Sequence, residues 1–118
     1  MKTHKDLDVW KLGMDLVANV YLMTKEFPKT EMYGLTSQMR RAAVSVPSNI
    51  AEGAARKGNK ENLQFLYIAL GSLSELETQA IIASRLAYLK NETIQSQIEQ
   101  LRPKLLNYIK YIKTKINL

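Results

Sequence analysis

Five glycines and three prolines are all that punctuate 118 residues, so the stretches between backbone breaks are long. Within them apolar residues recur at intervals of three and four, never in sustained alternation, and that spacing restricts the chain to helices. Leu7, Trp10, Met14, Val17 and Tyr21 form one stripe, and Val9, Leu12, Leu16, Val20, Met23 and Phe27 form a second beside it. Together they make a surface wider than one neighbouring helix covers. Pro28 ends the segment.

Thr30 is placed to cap the next helix, whose inner face reads Leu35, Met39, Ala42, Val46 and Ile50. Pro47 interrupts that face, removes the donor to the carbonyl of Ala43 and predicts a kink. A third helix, from Lys60 to Leu89, carries two apolar sides: Leu63, Leu66, Leu70, Leu73 and Ile81 on one, Phe65, Ile68, Ala69, Leu76, Ala83 and Leu86 on the other. Asn91 can end it or cap the fourth helix, which runs through Ile94, Ile98, Leu101, Leu105, Ile109, Ile112 and Ile116. Pro103 leaves open a bend or a fresh start, but Leu101 and Leu105 on either side of it both belong to the core. Helices over 7–27, 31–57, 60–89 and 92–116, joined by short connections, predict one all-α domain over 1–118. Its expected form is an antiparallel up-down-up-down four-helix bundle kinked at Pro47. The surplus apolar surface on the first and third helices predicts a homo-oligomer.

The chemistry that the composition allows is narrow. There is no cysteine, which removes disulfides, thiolate metal sites and thiol nucleophiles and fits a reducing cytoplasm. The one histidine, His4, precedes the first helix, so the Glu-x-x-His pairs of a metal-binding bundle are missing. Glu75 and Glu77 are two apart on a helix and point about 200° from each other, so they do not flank one substrate. No glycine-rich phosphate loop occurs. The expectation is a protein that is not an enzyme, with no metal and no cofactor. The opening residues lack the apolar run of a signal peptide and no stretch is apolar enough to span a membrane, which together predict a cytoplasmic protein without membrane contact.

Seventeen Lys and Arg against eleven Asp and Glu leave a formal charge of +6, which favours anionic partners. The excess is uneven. Beyond Glu99 there is no acidic side chain, while Arg102, Lys104, Lys110, Lys113 and Lys115 all follow. Lys104, Tyr108, Tyr111 and Lys115 recur at helical spacing, so cations and rings can meet a phosphate backbone and unstacked bases of RNA or DNA. The structural alternative is that the lysines complement the helix dipole and the tyrosines edge the core or an interface. A second basic cluster, Arg56, Lys57 and Lys60, lies at the turn between the second and third helices.

On the second helix Ser37, Gln38, Arg41, Ser45, Ser48, Glu52 and Arg56 share a polar face opposite Met39, Val46 and Ile50. Two readings stay open. The face is a ligand groove in which Arg40 and Arg41 hold phosphate. Or it is structural, with an arginine paired to Glu75 or Glu77 on the third helix and Ser45, Ser48 and Asn49 serving the backbone freed by Pro47.

The stretch Gln38-Met39-Arg40-Arg41-Ala42-Ala43-Val44-Ser45-Val46-Pro47-Ser48-Asn49-Ile50-Ala51-Glu52-Gly53 resembles the central motif of a bacterial family of four-helix-bundle proteins. That family takes its name from reading frames in intervening sequences of 23S rRNA genes. Leu7-Asp8-Val9-Trp10 is similar to the family's opening, and Gly71-Ser72-Leu73-Ser74-Glu75-Leu76-Glu77-Thr78 to its third-helix motif, so the resemblance spans nearly the whole chain. It implies a non-enzymatic bundle assembled as a ring-shaped homopentamer. It also implies a relation to the accessory variability proteins of diversity-generating retroelements, which bind nucleic acid beside a reverse transcriptase. By that analogy the expected role is a nucleic-acid-binding accessory factor. The competing expectation is a protein-interaction scaffold with no nucleic-acid role.

Overall fold

The structure, a computed structural model, describes residues 2–116; the two ends of the 1–118 span lie outside the described residues. Among the described residues there are four α-helices and no strand: α1 (Asp8–Thr24), α2 (Leu35–Ala54), α3 (Asn59–Arg85) and α4 (Thr93–Ile116). Each helix packs on two neighbours, in the order α1, α2, α3, α4 and back to α1, giving a body of 50 × 22 × 21 Å. No helix among the described residues is long and apolar enough to cross a membrane.

The helix ends differ from the sequence expectation for identifiable reasons. Thr30 does not cap α2; Lys29–Glu31 form a short 3-10 turn and the Glu31 carboxylate accepts from the Leu35 N–H at 3.3 Å. Its other oxygen accepts the Tyr88 hydroxyl at 3.0 Å, which ties the start of α2 to the connection after α3. That hydrogen bond to a carboxylate also pushes the Tyr88 hydroxyl above the usual phenol range. At the end of α3 the chain leaves the helix at Leu86, not Leu89, because Ala87 turns left-handed (φ 62°). The Tyr88 N–H then closes back on the Ala83 carbonyl at 2.8 Å. This is the usual glycine-terminated helix ending made with an alanine, so no sequence signal marks it. Asn91 belongs to the start of α4, where its Oδ1 accepts from the Thr93 N–H at 3.1 Å. α3 begins at Asn59, one residue before the expected Lys60, with Gly58 in the cap position.

The core uses one stripe from each helix. On α1 the second stripe is inside, with Val9, Leu16 and Val20 buried, while Met14 and Tyr21 of the first remain exposed. On α3 the expected two buried sides reduce to one, formed by Leu66, Ala69, Leu73, Leu76, Ala80 and Ala83; Ile68, Ile81, Ile82 and Leu86 face outward. A ring of four helices gives α3 only two neighbours, both on the same side, so its far face has nothing in this chain to cover it. Pro103 does not break α4, and Leu101 and Leu105 are both fully buried around it. Pro47 is likewise inside a continuous α2 and buried, with Gly13 of α1 opposite. A Cβ on Gly13 would sit 3.4 Å from the proline ring.

Candidate nucleic-acid interface

A helix turns about 100° per residue, which divides the basic residues of α4 between two flanks. Lys104, Tyr108, Tyr111 and Lys115 lie along one flank. Tyr108 and Lys104 there line a cleft with Leu7, Asp8 and Val9 at the start of α1. The Tyr108 and Tyr111 rings stack with centroids 6.4 Å apart and planes at 27°. The Lys115 ammonium lies 4.7 Å over Tyr111. Arg102, Lys110 and Lys113 fall about half a turn away, toward α3. Lys113 sits 5.4 Å from the ring of Tyr67, an exposed α3 aromatic that the sequence reading left out.

Arg102 differs from the others in its group. Its guanidinium donates two bonds of 3.0 Å to the two carboxylate oxygens of Glu77, a fork geometry that holds α4 to α3. Its charge is therefore engaged inside the chain, and among the described residues the flank toward α1 carries no comparable ion pair. At the α2–α3 turn Arg56, Lys57 and Lys60 are all exposed. Arg56 is held by Glu52 at 3.4 Å and lies 4.8 Å over the Phe65 ring.

The motif on α2 divides rather than acting as one stripe. Arg40 turns toward α1: its Nε donates to the Thr24 hydroxyl at 2.9 Å, which itself donates to the Val20 carbonyl at 2.7 Å, and its guanidinium stacks 4.6 Å from the Tyr21 ring. The pairing of Arg40 or Arg41 with Glu75 or Glu77 is not formed; Arg40 faces away from α3, and Glu77 is taken by Arg102. Toward α3, the hydroxyls of Ser45 and Ser72 share a 2.8 Å bond, and the Asn49 amide donates to the Ser45 carbonyl at 2.8 Å and to its hydroxyl at 2.9 Å. Asn49 thus serves Ser45, not the Ala43 carbonyl that Pro47 leaves without a donor. Below them Gly53 is buried, and a Cβ there would fall 2.5 Å from Asn62 Oδ1 and 3.1 Å from Phe65 Cβ. Gly71 is exposed, and nothing lies within 4 Å of a Cβ built on it.

The remaining motif residues, Gln38, Arg41 and Glu75, line an open cleft of about 700 Å³ between α2 and α3, together with Tyr33, Thr78 and Gln79. Gln79 is buried, and its Oε1 has no hydrogen-bond partner. Among the described residues no group of three His, Cys, Asp or Glu side chains is arranged to hold a metal ion.

The family model described as 23S rRNA-intervening sequence protein matches residues 5–110, a span that takes in α1, α2, α3 and most of α4. The chain belongs to that family. No curated protein matches it.

Proposed function

We propose that this family member is a self-assembling, non-enzymatic bundle that serves as a nucleic-acid-binding accessory factor, contacting RNA or DNA through α4. The observation that carries this reading is the flank of Lys104, Tyr108, Tyr111 and Lys115, where two lysines bracket a stacked pair of rings, Tyr108 half-buried and Tyr111 exposed, along one side of a helix. Such a strip offers charge to phosphates and π faces to bases. The turn residues Arg56, Lys57 and Lys60 add positive charge. The proposed location is the cytoplasm, and a reverse transcriptase as protein partner rests on family analogy alone.

The same reading takes the helices as antiparallel, up-down-up-down. In support, residue numbers fall on one helix as they rise on the next. Gly13 lies opposite Pro47 and Thr24 bonds Arg40; Ser45 bonds Ser72 while Gly53 abuts Asn62; Ser84 bonds Gln95 while Glu77 bonds Arg102. A bend in α2 at Pro47 belongs with it, since the ring has no N–H for the Ala43 carbonyl. Assembly as a ring of five is what the family resemblance implies. The exposed Met14, Tyr21, Val44, Ile68 and Ile81 supply apolar surface that an assembly would cover.

A protein-interaction scaffold is the second reading, favoured by the outward Ile81 and Ile82 on α3 and Leu86 just beyond its end. Light-scattering mass determination with and without mixed-sequence RNA and DNA, at low and high salt, separates the two. A ring-sized oligomer that gains mass with nucleic acid at low salt and loses it at high salt supports the accessory factor. An oligomer indifferent to both supports the scaffold.

A further inference from the structure

We propose that the cleft between the start of α1 and α4 holds a single unpaired base bearing an exocyclic amine, so that the α4 flank selects single-stranded over duplex nucleic acid. This rests on the nucleic-acid reading above and names its ligand.

The cleft has a volume of about 270 Å³, room for one nucleobase. Its lining is mixed in a way that suits a base. Leu7 and Val9 supply apolar surface and Tyr108 an aromatic one, while Asn107, Asp8 and Lys104 bring an amide, a carboxylate and an ammonium to the rim. Lys104 is placed for the phosphate, and Asn107 can both donate to and accept from a base edge. Asp8 is the informative member. A carboxylate in a strip meant for phosphates repels its ligand unless the ligand brings a donor, and Asp8 takes part in no ion pair among the described residues. The amino groups of cytosine, adenine and guanine are such donors, and the pairings of carboxylate with cytosine N4 and of Asn with adenine are well established chemistry; uracil carries no amino group and offers the carboxylate only its single N3–H.

The neighbouring base then has a seat as well. Tyr111 is more than half exposed at 54%, and the Lys115 ammonium that lies over its ring would swing to a phosphate to open that face to a base. Successive bases on Tyr108 and Tyr111, with the backbone running past Lys104 and Lys115, require a strand whose bases are free to unstack. A duplex offers only its backbone to the same surface.

The test is fluorescence anisotropy with labelled oligo-rC, oligo-rA and oligo-rU strands and a mixed-sequence duplex, all of one length and at one low salt concentration. The expected result is that oligo-rC and oligo-rA bind about tenfold tighter than oligo-rU, the scale of one good base contact, and that the duplex binds more weakly than the amine-bearing strands. Asp8→Asn removes a negative charge, so it is expected to hold or raise affinity for every strand while erasing the preference. Asn107→Ala, at an exposed position, is expected to reduce the preference with the melting temperature unchanged. Equal affinity for the three strands and the duplex, with Lys104→Glu still weakening all of them, overturns the base pocket and leaves the basic-flank reading standing. A preference that survives both Asp8→Asn and Asn107→Ala also overturns it, and no binding of any strand at low salt overturns both readings.

Discussion

The α2–α3 contact and the α4 flank toward α1 are both rich in polar side chains, but they use them oppositely. Across α2–α3, Ser45, Asn49 and Ser72 answer one another and Gly53 gives its space to Asn62 and Phe65. Along α4, Lys104, Tyr108, Tyr111 and Lys115 satisfy no polar group of another helix among the described residues. The most family-like stretch is thus largely spent on holding the bundle together, and the side chains left free for a partner lie where the family motifs say least. The family motif and the proposed contact flank occupy different surfaces of this molecule.

The largest test of that contrast is Gly53→Val. The new side chain would collide with the Asn62 carbonyl, 3.0 Å from the Cβ position, and with Phe65, backbone and side chain that cannot both retreat. The expected loss is about 2–3 kcal/mol by overpacking, read as a lowered midpoint in thermal or urea unfolding. Next comes the division of the two arginines. Arg40→Ala removes a charged hydrogen bond to buried Thr24 and a stack on Tyr21, for an expected loss of about 1.5–2 kcal/mol. Arg41→Ala at an exposed cleft position stays within about 0.5 kcal/mol. Equal losses at both would mean that the motif acts as one structural unit after all.

Two substitutions are expected to raise stability. Ala87→Gly relieves a left-handed alanine at the end of α3, and Gly71→Ala removes a flexible residue from the middle of an exposed helical face with open space around it. Each is worth about 0.5–1 kcal/mol. A Gly71→Ala variant that melts higher as a single chain but assembles poorly would place the α3 outer face in the oligomer contact, the use that its missing role within the chain leaves open.

Much of this was legible from spacing alone. Four helices, the buried Ile94–Ile98–Leu101–Leu105 stripe and the burial of Leu101 and Leu105 on both sides of Pro103 follow from intervals of three and four, whereas the choice of the Val9–Leu16–Val20 stripe on α1 and the unbroken helix at Pro103 do not. The helix ends were not legible, because Glu31 caps α2 from within a 3-10 turn and Ala87 ends α3 in a conformation that sequence usually reserves for glycine. The site was half legible. Periodicity groups Lys104, Tyr108, Tyr111 and Lys115, but whether Arg40 or Arg41 faces α3 turns on one residue's rotation, and the meeting of Asp8 with Asn107 depends on contacts between residues nearly a hundred positions apart. No single-sequence pattern encodes either.

The smallest effect on stability carries the sharpest test of function. Lys104→Glu with Lys115→Glu changes the flank toward α1; Lys110→Glu with Lys113→Glu changes the one toward α3. Both pairs are exposed, so both variants should melt within about 0.5 kcal/mol of the parent, and both change net charge equally. Charge alone therefore predicts identical losses of nucleic-acid affinity. If the tyrosine-lined flank is the contact surface, the first pair removes contacts to phosphates directly and flattens the salt dependence of binding, by about 0.9 in log-log slope per phosphate on duplex DNA and about 0.7 on a single strand. The second pair lowers affinity only through the longer-range field and leaves the slope nearly as it was. Equal slopes in the two variants would instead spread the interface around α4 and remove the distinction between its flanks.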